Sequence, residues 1–432
     1  MMKFETVKSF ILSILVVFSL LLTLGLWYYQ PNYDVLYDED SSVSEFETDI
    51  GGKKESISDV IKPNAMIFHN YQTDQHFTFK KPMDYVQLFN NMESWTLSDF
   101  KKRPVDGLPK DDEQIEIRFP TDIPMELLKK MFSIDDDVDL PTWLFNKAIV
   151  GFDKGSSILK VTFVSSDEKY AGTVEVHNKD AYDLLWGHMS SQENMVQLTP
   201  YDLSNSDDEP IYIPTHAISM TEYSLSIDET DPNKLVNALF SKPSLVSTTF
   251  GESYFTDGQR QMSLLHGERT VEFFDPYSDT YDKMDIPDLI DRTVQNINDH
   301  RGWTNDYYLS ELTPASNQIK FQMHYKGYPV FSYSDLSTIE QQWREQKLHQ
   351  YDRPLFQIKN ELRQEEKELE SGEDIMQSLT DNPNYNMSKV QDLKVGYKLS
   401  YDESTQSVEL QPAWYVNYDG NWREANFDDE SR

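Results

Sequence analysis

Ile286-Pro-Asp-Leu-Ile-Asp-Arg-Thr-Val-Gln-Asn-Ile-Asn-Asp-His-Arg-Gly302 is followed by Tyr307-Tyr-Leu309, Gln318-Ile-Lys-Phe-Gln-Met-His-Tyr325 and Tyr328-Pro-Val-Phe331. Leu289, Ile290, Val294 and Ile297 recur at helical spacing, and Pro287 stands in the first turn. Gly302 falls where a C-terminal glycine belongs. The remainder reads as about three antiparallel strands. The last of these opens on a proline, which costs no interior ladder bond at a strand start.

The same order recurs downstream. Leu355, Ile358, Leu362 and Leu369 predict a helix rich in Glu and Lys. Leu393-Lys-Val-Gly-Tyr-Lys-Leu399, a polar turn at Asp402 to Thr405, Val408-Glu-Leu410 and Ala413-Trp-Tyr-Val416 follow as strands, again with a proline, Pro412, near the last. Between the units, Ser334, Ser337 and Glu340 offer caps for one further helix, with Leu336, Ile339 and Trp343 inward. Upstream, Ile115-Glu-Ile-Arg-Phe119 alternates as a half-buried strand does. Ile158–Val164 and Gly172–Val176 flank a polar stretch and predict a hairpin. Tyr223–Ile227 reads as a strand, and Asp231-Pro232 opens a helix. Ser204–Pro210 is a charged, turn-rich break.

The N-terminus is of another kind. No charge occurs from Ser9 to Tyr33, and Phe10–Tyr29 is an apolar run of about the 20 residues that cross a bilayer core. Trp27, Tyr28 and Tyr29 suit an interfacial belt. Lys3 and Lys8 precede the run, and Asp34, Asp38, Glu39 and Asp40 follow it. The positive-inside bias therefore predicts a cytoplasmic N-terminus and an extracytoplasmic remainder. No small-residue cleavage pair ends the run, so an uncleaved anchor is expected rather than a signal peptide. Within it, Ser9, Ser13, Ser19 and Thr23 share one helical arc with Leu12, Val16, Leu20 and Trp27. That arc is the candidate contact face for partner helices, where close approach depends on small residues and hydrogen bonds. The competing reading is that the hydroxyls bond back to their own helix.

Composition narrows the function. The 432 residues hold 39 Lys+Arg against 74 Asp+Glu, a net charge of −35. That excludes a general nucleic-acid binder, which needs a cationic footprint. Cys is absent, which removes disulfides, thiolate metal sites and a thiol nucleophile. For an exported protein this suits a Gram-positive lineage. No catalytic motif emerges. His266-Gly-Glu-Arg lacks a metal partner at the right spacing. Ser98/Lys101, Ser157/Lys160 and Ser166/Lys169 match S-x-x-K without its companion motifs. Asp135-Asp-Asp-Val-Asp139 lacks the glycine and terminal glutamate of a calcium loop. The expectation is no enzyme, no cofactor, no metal site and no catalytic residue.

The fold expected is α+β. A cytoplasmic stub (1–8), a transmembrane helix (9–29) and a tether or lead-in (30–62) precede three extracytoplasmic α+β domains. These span 63–209, 210–334 and 335–427, before a frayed tail (428–432). The single anchor, the Cys-free exported part, Gly-Tyr-Pro-Val-Phe at 327–331, Tyr-Asp-Arg-Pro-Leu at 351–355 and Gln-Pro-Ala-Trp-Tyr-Val at 411–416 together resemble the YycH (WalH) family. The resemblance covers the whole chain, on motifs that are structural rather than catalytic. It implies three exported domains, the last two being helix-plus-antiparallel-sheet units like those of YycI and similar to PepSY-type modules. It also implies a membrane regulator of the WalK (YycG) sensor histidine kinase of cell-wall metabolism, acting through its transmembrane helix with a YycI-like protein. The alternative is a wall-associated ligand-binding or peptidase-inhibitor-like module with no kinase contact.

Overall fold

A computed structural model describes residues 47–105, 111–135, 138–202, 210–243, 246–249, 253–267, 269–276 and 282–425. The predicted membrane segment, its contact face, residues 204–209 of the charged break and the tail lie outside these residues. No helix among the described residues is long and apolar enough to cross a membrane.

The residues from Glu47 onward form one compact α+β unit. Its first sheet holds β1 (Ala65–Asn70), β2 (Gln75–Phe79), β3 (Thr96–Pro104), β4 (Glu113–Pro124), β5 (Ser133–Ile134), β6 (Leu144–Asp153), β7 (Ile158–Ser165), β8 (Tyr170–Val176), β9 (Met195–Tyr201) and β10 (Ile211–Pro214). They lie in the order β10-β9-β2-β1-β4-β6-β7-β8-β3-β5. The expected β7–β8 hairpin and the strand through Ile115–Phe119 are both present. Helices Pro82–Met92 and Lys179–Ser191 bury Val86, Leu88, Phe89 and Met92, and Ala181, Leu185 and Met189, in the main core.

The second sheet contains β11 (Ile218–Glu229), β12 (Ser247–Thr249), β13 (Tyr254–Thr256), β14 (Gln261–Leu265), β15 (Thr270–Phe274), β16 (Asp306–Thr313), β17 (Gln318–Tyr325), β18 (Tyr328–Phe331), β19 (Thr338–Arg344), β20 (Lys347–Pro354), β21 (Phe356–Leu369), β22 (Val390–Asp402), β23 (Ser407–Tyr418) and β24 (Asn421–Glu424). Helix Pro232–Leu239 starts at Asp231, whose carboxylate accepts from the Asn233 N–H. Helix Ile286–Asp299 buries Leu289, Ile290, Val294 and Ile297, as its stripe predicts.

Two runs expected as helices are strands. Leu336, Ile339 and Trp343 are buried as expected, but in and beside β19, where Ile339, Gln341 and Trp343 alternate inward at period two. The Glu/Lys-rich run at 356–369 is β21, a long strand that among the described residues pairs with β11 alone and is exposed from Lys359 to Glu366. The C-terminal helix is instead Gly372–Asp381, where the Ser371 Oγ accepts from the Asp374 N–H.

With that helix in place, a helix–strand–strand–short strand order does recur. Helix Ile286–Asp299 leads into β16, β17 and β18; helix Gly372–Asp381 leads into β22, β23 and β24. Both short strands follow tight turns with paired left-handed residues: Lys326 (φ 51°) with Gly327 (φ 85°), and Asp419 (φ 58°) with Gly420 (φ 82°). These turns match the twist of antiparallel strands. Pro329 and Pro412 are therefore not counterparts, because Pro412 lies inside β23, which runs unbroken from 407 to 418. β11 pairs with β23 up to Leu410 and β24 pairs with it from Tyr415, so Pro412 sits in the gap where no neighbour needs its N–H.

Gly302 does not supply the left-handed turn after its helix; Arg301 does, at φ 51°. The lead-in is irregular yet packed. Ile50, Ile57, Val60 and Ile61 are buried, and the Ser56 cap starts a one-turn helix. The Ile50, Gly52 and Lys53 N–H groups donate to the carbonyls of His300, Arg301 and Trp303.

Candidate functional site

Along β1, Met66 and Phe68 join the helix-covered core, so Ala65, Ile67 and His69 face the other way. On that second face the register sets His69 opposite His76, Ile67 opposite Glu116 and Ala65 opposite Arg118. The result is a buried polar chain. His69 Nδ1 lies 2.9 Å from His76 Nδ1, and His69 Nε2 lies 3.0 Å from Glu116 Oε2. Arg118 Nε donates to Glu116 Oε1 at 2.6 Å. Tyr71 stacks on His69, and Tyr212 meets both imidazoles edge-on.

Burial pushes the Glu116 carboxyl up, but the His69 hydrogen bond and the Arg118 guanidinium outweigh it and hold it at about 2. Glu116 is therefore an acceptor only, and His69 carries its proton on Nε2. His69 Nδ1 then accepts from His76 Nδ1. Burial, and after it the neighbouring His69, keep His76 below the ordinary histidine range.

Next to this network the same face opens into a cleft of about 190 Å³. Ala65, Ile67, Val196, Leu198 and Tyr212 form one wall. Ile218, Tyr328, Pro329, Leu393, Val395 and Trp414 of the second sheet form the other. The charged lining residues are Lys80, Arg118, Lys394 and Asp392. Lys394 has no carboxylate within ion-pairing distance among the described residues; its ammonium lies 3.6 Å from the centre of the Trp422 ring. Burial draws its pKa down, against the pull of Asp392.

Among the described residues, one other group has metal-ligand geometry. Asp99, Glu175 and His177 bring a ligand atom each within 4.8 Å of one another. His177 Nε2 lies 3.5 Å from Asp99 and 3.3 Å from Glu175, while Lys101 reaches Glu175 at 3.7 Å. The group is largely exposed and satisfied by its own ion pairs.

Two of the three S-x-x-K serines make side-chain hydrogen bonds within the fold. Ser98 donates to the Glu175 carbonyl, and Ser166 donates to Asp122. The Ser9–Trp27 face lies outside the described residues. Sequence reading passed over His69, His76 and Glu116, although the turn between the two histidines carries a hairpin signal, Asn70-Tyr-Gln-Thr-Asp74. It could not bring Leu393 to Ile67 across the cleft, since the two are more than three hundred residues apart.

Comparison with known proteins gives a consistent result. The family described as "YycH protein, N-terminal domain" matches residues 5–194, and "YycH protein, C-terminal domain" matches residues 208–430. The "Two-component system WalR/WalK regulatory protein YycH" of Bacillus subtilis (strain 168) is 21% identical over 97% of this chain and 96% of its own. The crystal structure of YycH from Bacillus subtilis superposes with a TM-score of 0.73 at 19% identity, covering 88% of this chain and 100% of that one.

Proposed function

As a member of the YycH family, to which this chain belongs across both halves, the protein acts, we propose, as a membrane-anchored regulator of a WalK-type sensor histidine kinase. The carrying observation is end-to-end similarity to a WalR/WalK regulatory protein, 97% of this chain against 96% of the relative. A shared domain grafted onto another architecture would not align so. The apolar run at Phe10–Tyr29 supports anchoring, with the N-terminus in the cytoplasm and the acidic bulk outside. The name regulatory protein and the absence of a catalytic motif support a role by contact rather than turnover. A YycI-like protein is the expected companion, and cell-wall metabolism the expected output.

In this reading the Ser9, Leu12, Ser13, Val16, Ser19, Leu20, Thr23 and Trp27 face docks on the kinase helices. Close packing there needs small residues, so Ser13→Leu with Ser19→Leu should disturb kinase output and leave insertion and the exported fold intact. The same change at Gly25, off the face, should matter less. The experiment is membrane crosslinking followed by co-purification of kinase and YycI-like protein, with kinase output measured in parallel. Unchanged output after exchange of the whole run for an unrelated membrane helix would move the contact to the exported domains. Loss of co-purification in the wild type would remove the kinase from the reading.

A further inference from the structure

We propose that Asp99, Glu175 and His177, where β3 meets β8 in the first sheet, form a zinc site with one coordination position left to water. The site goes beyond the kinase regulation proposed above and stands without it.

Three observations lead there. First, the backbone is shaped to bring the donors together. Glu175 of β8 and His177 just beyond its end share a face by alternation. Asp99 of β3 should point to the opposite face, since its neighbour Ser98 pairs with Glu175. A bulge changes that. Between the Ser98–Glu175 and Lys101–Thr173 pairs, β3 sets two residues against one; Asp99 sits at φ 52° and Phe100 packs on the core. Bulges re-aim side chains. Here the extra residue carries Asp99 to the side of Glu175 and His177, and one ligand atom of each lies within 4.8 Å of the others.

Second, the separations are those of ligands sharing a metal. His177 Nε2 lies 3.3 Å from Glu175 Oε2 and 3.5 Å from Asp99 Oδ2, beyond the ~2.7–3.2 Å of an N–H···O bond. Two ligand atoms each ~2.0–2.1 Å from a tetrahedral Zn²⁺ stand about 3.4 Å apart. The ion pairs satisfy the group only while the imidazole is charged. A neutral imidazole offers the two carboxylates a single N–H, or a bare Nε2. Third, the donor set selects the metal. One imidazole with two carboxylates suits zinc, whereas calcium and magnesium take oxygen ligands. Lys101 does not fill the site: it approaches the other Glu175 oxygen, Oε1, at 3.7 Å and is 72% exposed. Ser98, Asp135 and Asp180 border a polar hollow of about 530 Å³ beside His177, through which water reaches the fourth position.

The test is calorimetric titration of the full chain, untagged and in dodecyl maltoside micelles, with zinc chloride and in parallel with calcium and magnesium chloride. One equivalent of Zn²⁺ should bind, and Ca²⁺ and Mg²⁺ should bind at least ~tenfold more weakly. His177→Gln and Asp99→Asn should each weaken zinc binding at least ~tenfold. Their circular dichroism spectra should match wild type, since both side chains are exposed and Asn tolerates the left-handed backbone at position 99. His266→Gln, at an exposed histidine in the β14–β15 turn, should bind zinc as wild type does. Absence of zinc binding, or an affinity unchanged in His177→Gln or Asp99→Asn, would overturn the proposal. An equal loss in His266→Gln would overturn it in favour of adventitious surface binding. Calcium bound as tightly as zinc would overturn the metal assignment. None of these outcomes depends on the kinase, so failure here leaves the regulatory reading untouched.

Discussion

His69 and His76 face each other through their Nδ1 atoms at 2.9 Å, with Glu116 closing the far side of His69 at 3.0 Å. Two facing nitrogens share one proton, so the direction of the chain is set by Glu116. A carboxylate held at about 2 in the fold and near 4.3 when unfolded contributes stability that is fully present above pH 4.5 and lost as pH falls toward 2. Glu116→Gln should therefore cost about 3 kcal/mol at pH 7, the low end for breaking a buried pair. Urea unfolding at a series of pH values checks it. The gap to wild type should narrow below pH 4.5; a constant gap down to pH 2.5 would show that the charge of Glu116 is not what matters.

Gly302 is required by its surroundings rather than by its backbone angle. A Cβ there would come within 2.7 Å of Arg353 Nη1, His300 Nε2 and Ile297 Cγ2. Arg353 cannot easily give way, because it is 1% exposed and donates to Tyr351, Thr304 and the Pro354 carbonyl. Gly302→Ala should cost about 1–3 kcal/mol through overpacking. Arg301→Gly relieves a left-handed residue worth roughly 1 kcal/mol and adds comparable freedom to the unfolded chain, so its denaturation midpoint should hardly move. The opposite ranking of the two variants would refute this account.

Trp414 is 4% exposed in a separate cluster with Ile211, Ile213, Ile375, Met376 and Leu379, and its indole N–H donates to the Glu370 carbonyl. That cluster joins β10 of the first sheet to the C-terminal helix. Trp414→Ala should cost about 3–5 kcal/mol as a large-to-small core change. The loss should also raise hydrogen exchange in Ile375–Leu379 more than in helix Ile286–Asp299. Equal effects on both helices would show that the two clusters do not behave separately.

Asp352 works in the opposite sense to Glu116. Burial pushes its carboxyl up, the Gln350 amide opposes, and Glu272, Glu340 and Asp335 add repulsion, leaving it at about 7. Its Oδ1 has no hydrogen-bond partner among the described residues. A raised acid contributes stability below its unfolded pKa and loses it as pH rises through the folded value, here between about pH 4 and 7. Asp352→Asn should thus gain about 2 kcal/mol at pH 8, discounted from ~1.4 kcal/mol per unit because solvent reaches the strand. The gain should vanish near pH 4. Thermal melts at pH 4.5 and 8 decide it, and an equal effect at both would reject the repulsion.

The elements legible in the sequence were those whose own period decided them. Helix Ile286–Asp299 and the β7–β8 hairpin each bury one face, and each reads directly. β21 misled because both of its faces meet solvent, so no period-two pattern is imposed and its charges sit at spacings that also suit a helix. β19 misled because local capping residues stood beside a strand whose conformation is fixed by long-range pairing with β17 and β20. Asp419-Gly420 was a turn signal in plain view, and it identifies β24 rather than the Pro412 strand as the counterpart of β18. The cleft was illegible in principle, since its walls come from sequence ends brought together only by the packing of two sheets.

β21 gives the last prediction. Among the described residues it is an edge strand of 14 residues with one partner, β11, and long exposed edges template association between molecules. Its run Arg363-Gln-Glu-Glu-Lys-Glu368 sets charges along that edge, and Leu362 beside it is 60% exposed. Charge, rather than cover, is then what keeps two such edges apart. Replacing Glu365, Glu366 and Glu368 with Thr keeps strand propensity and removes the repulsion. The variant should self-associate with concentration in sedimentation velocity, while its far-ultraviolet spectrum stays that of wild type. Raising the salt should move the wild type partway in the same direction, because screening acts on exposed charges. A variant that sediments as the wild type does at every concentration would mean that twist, not charge, guards the edge.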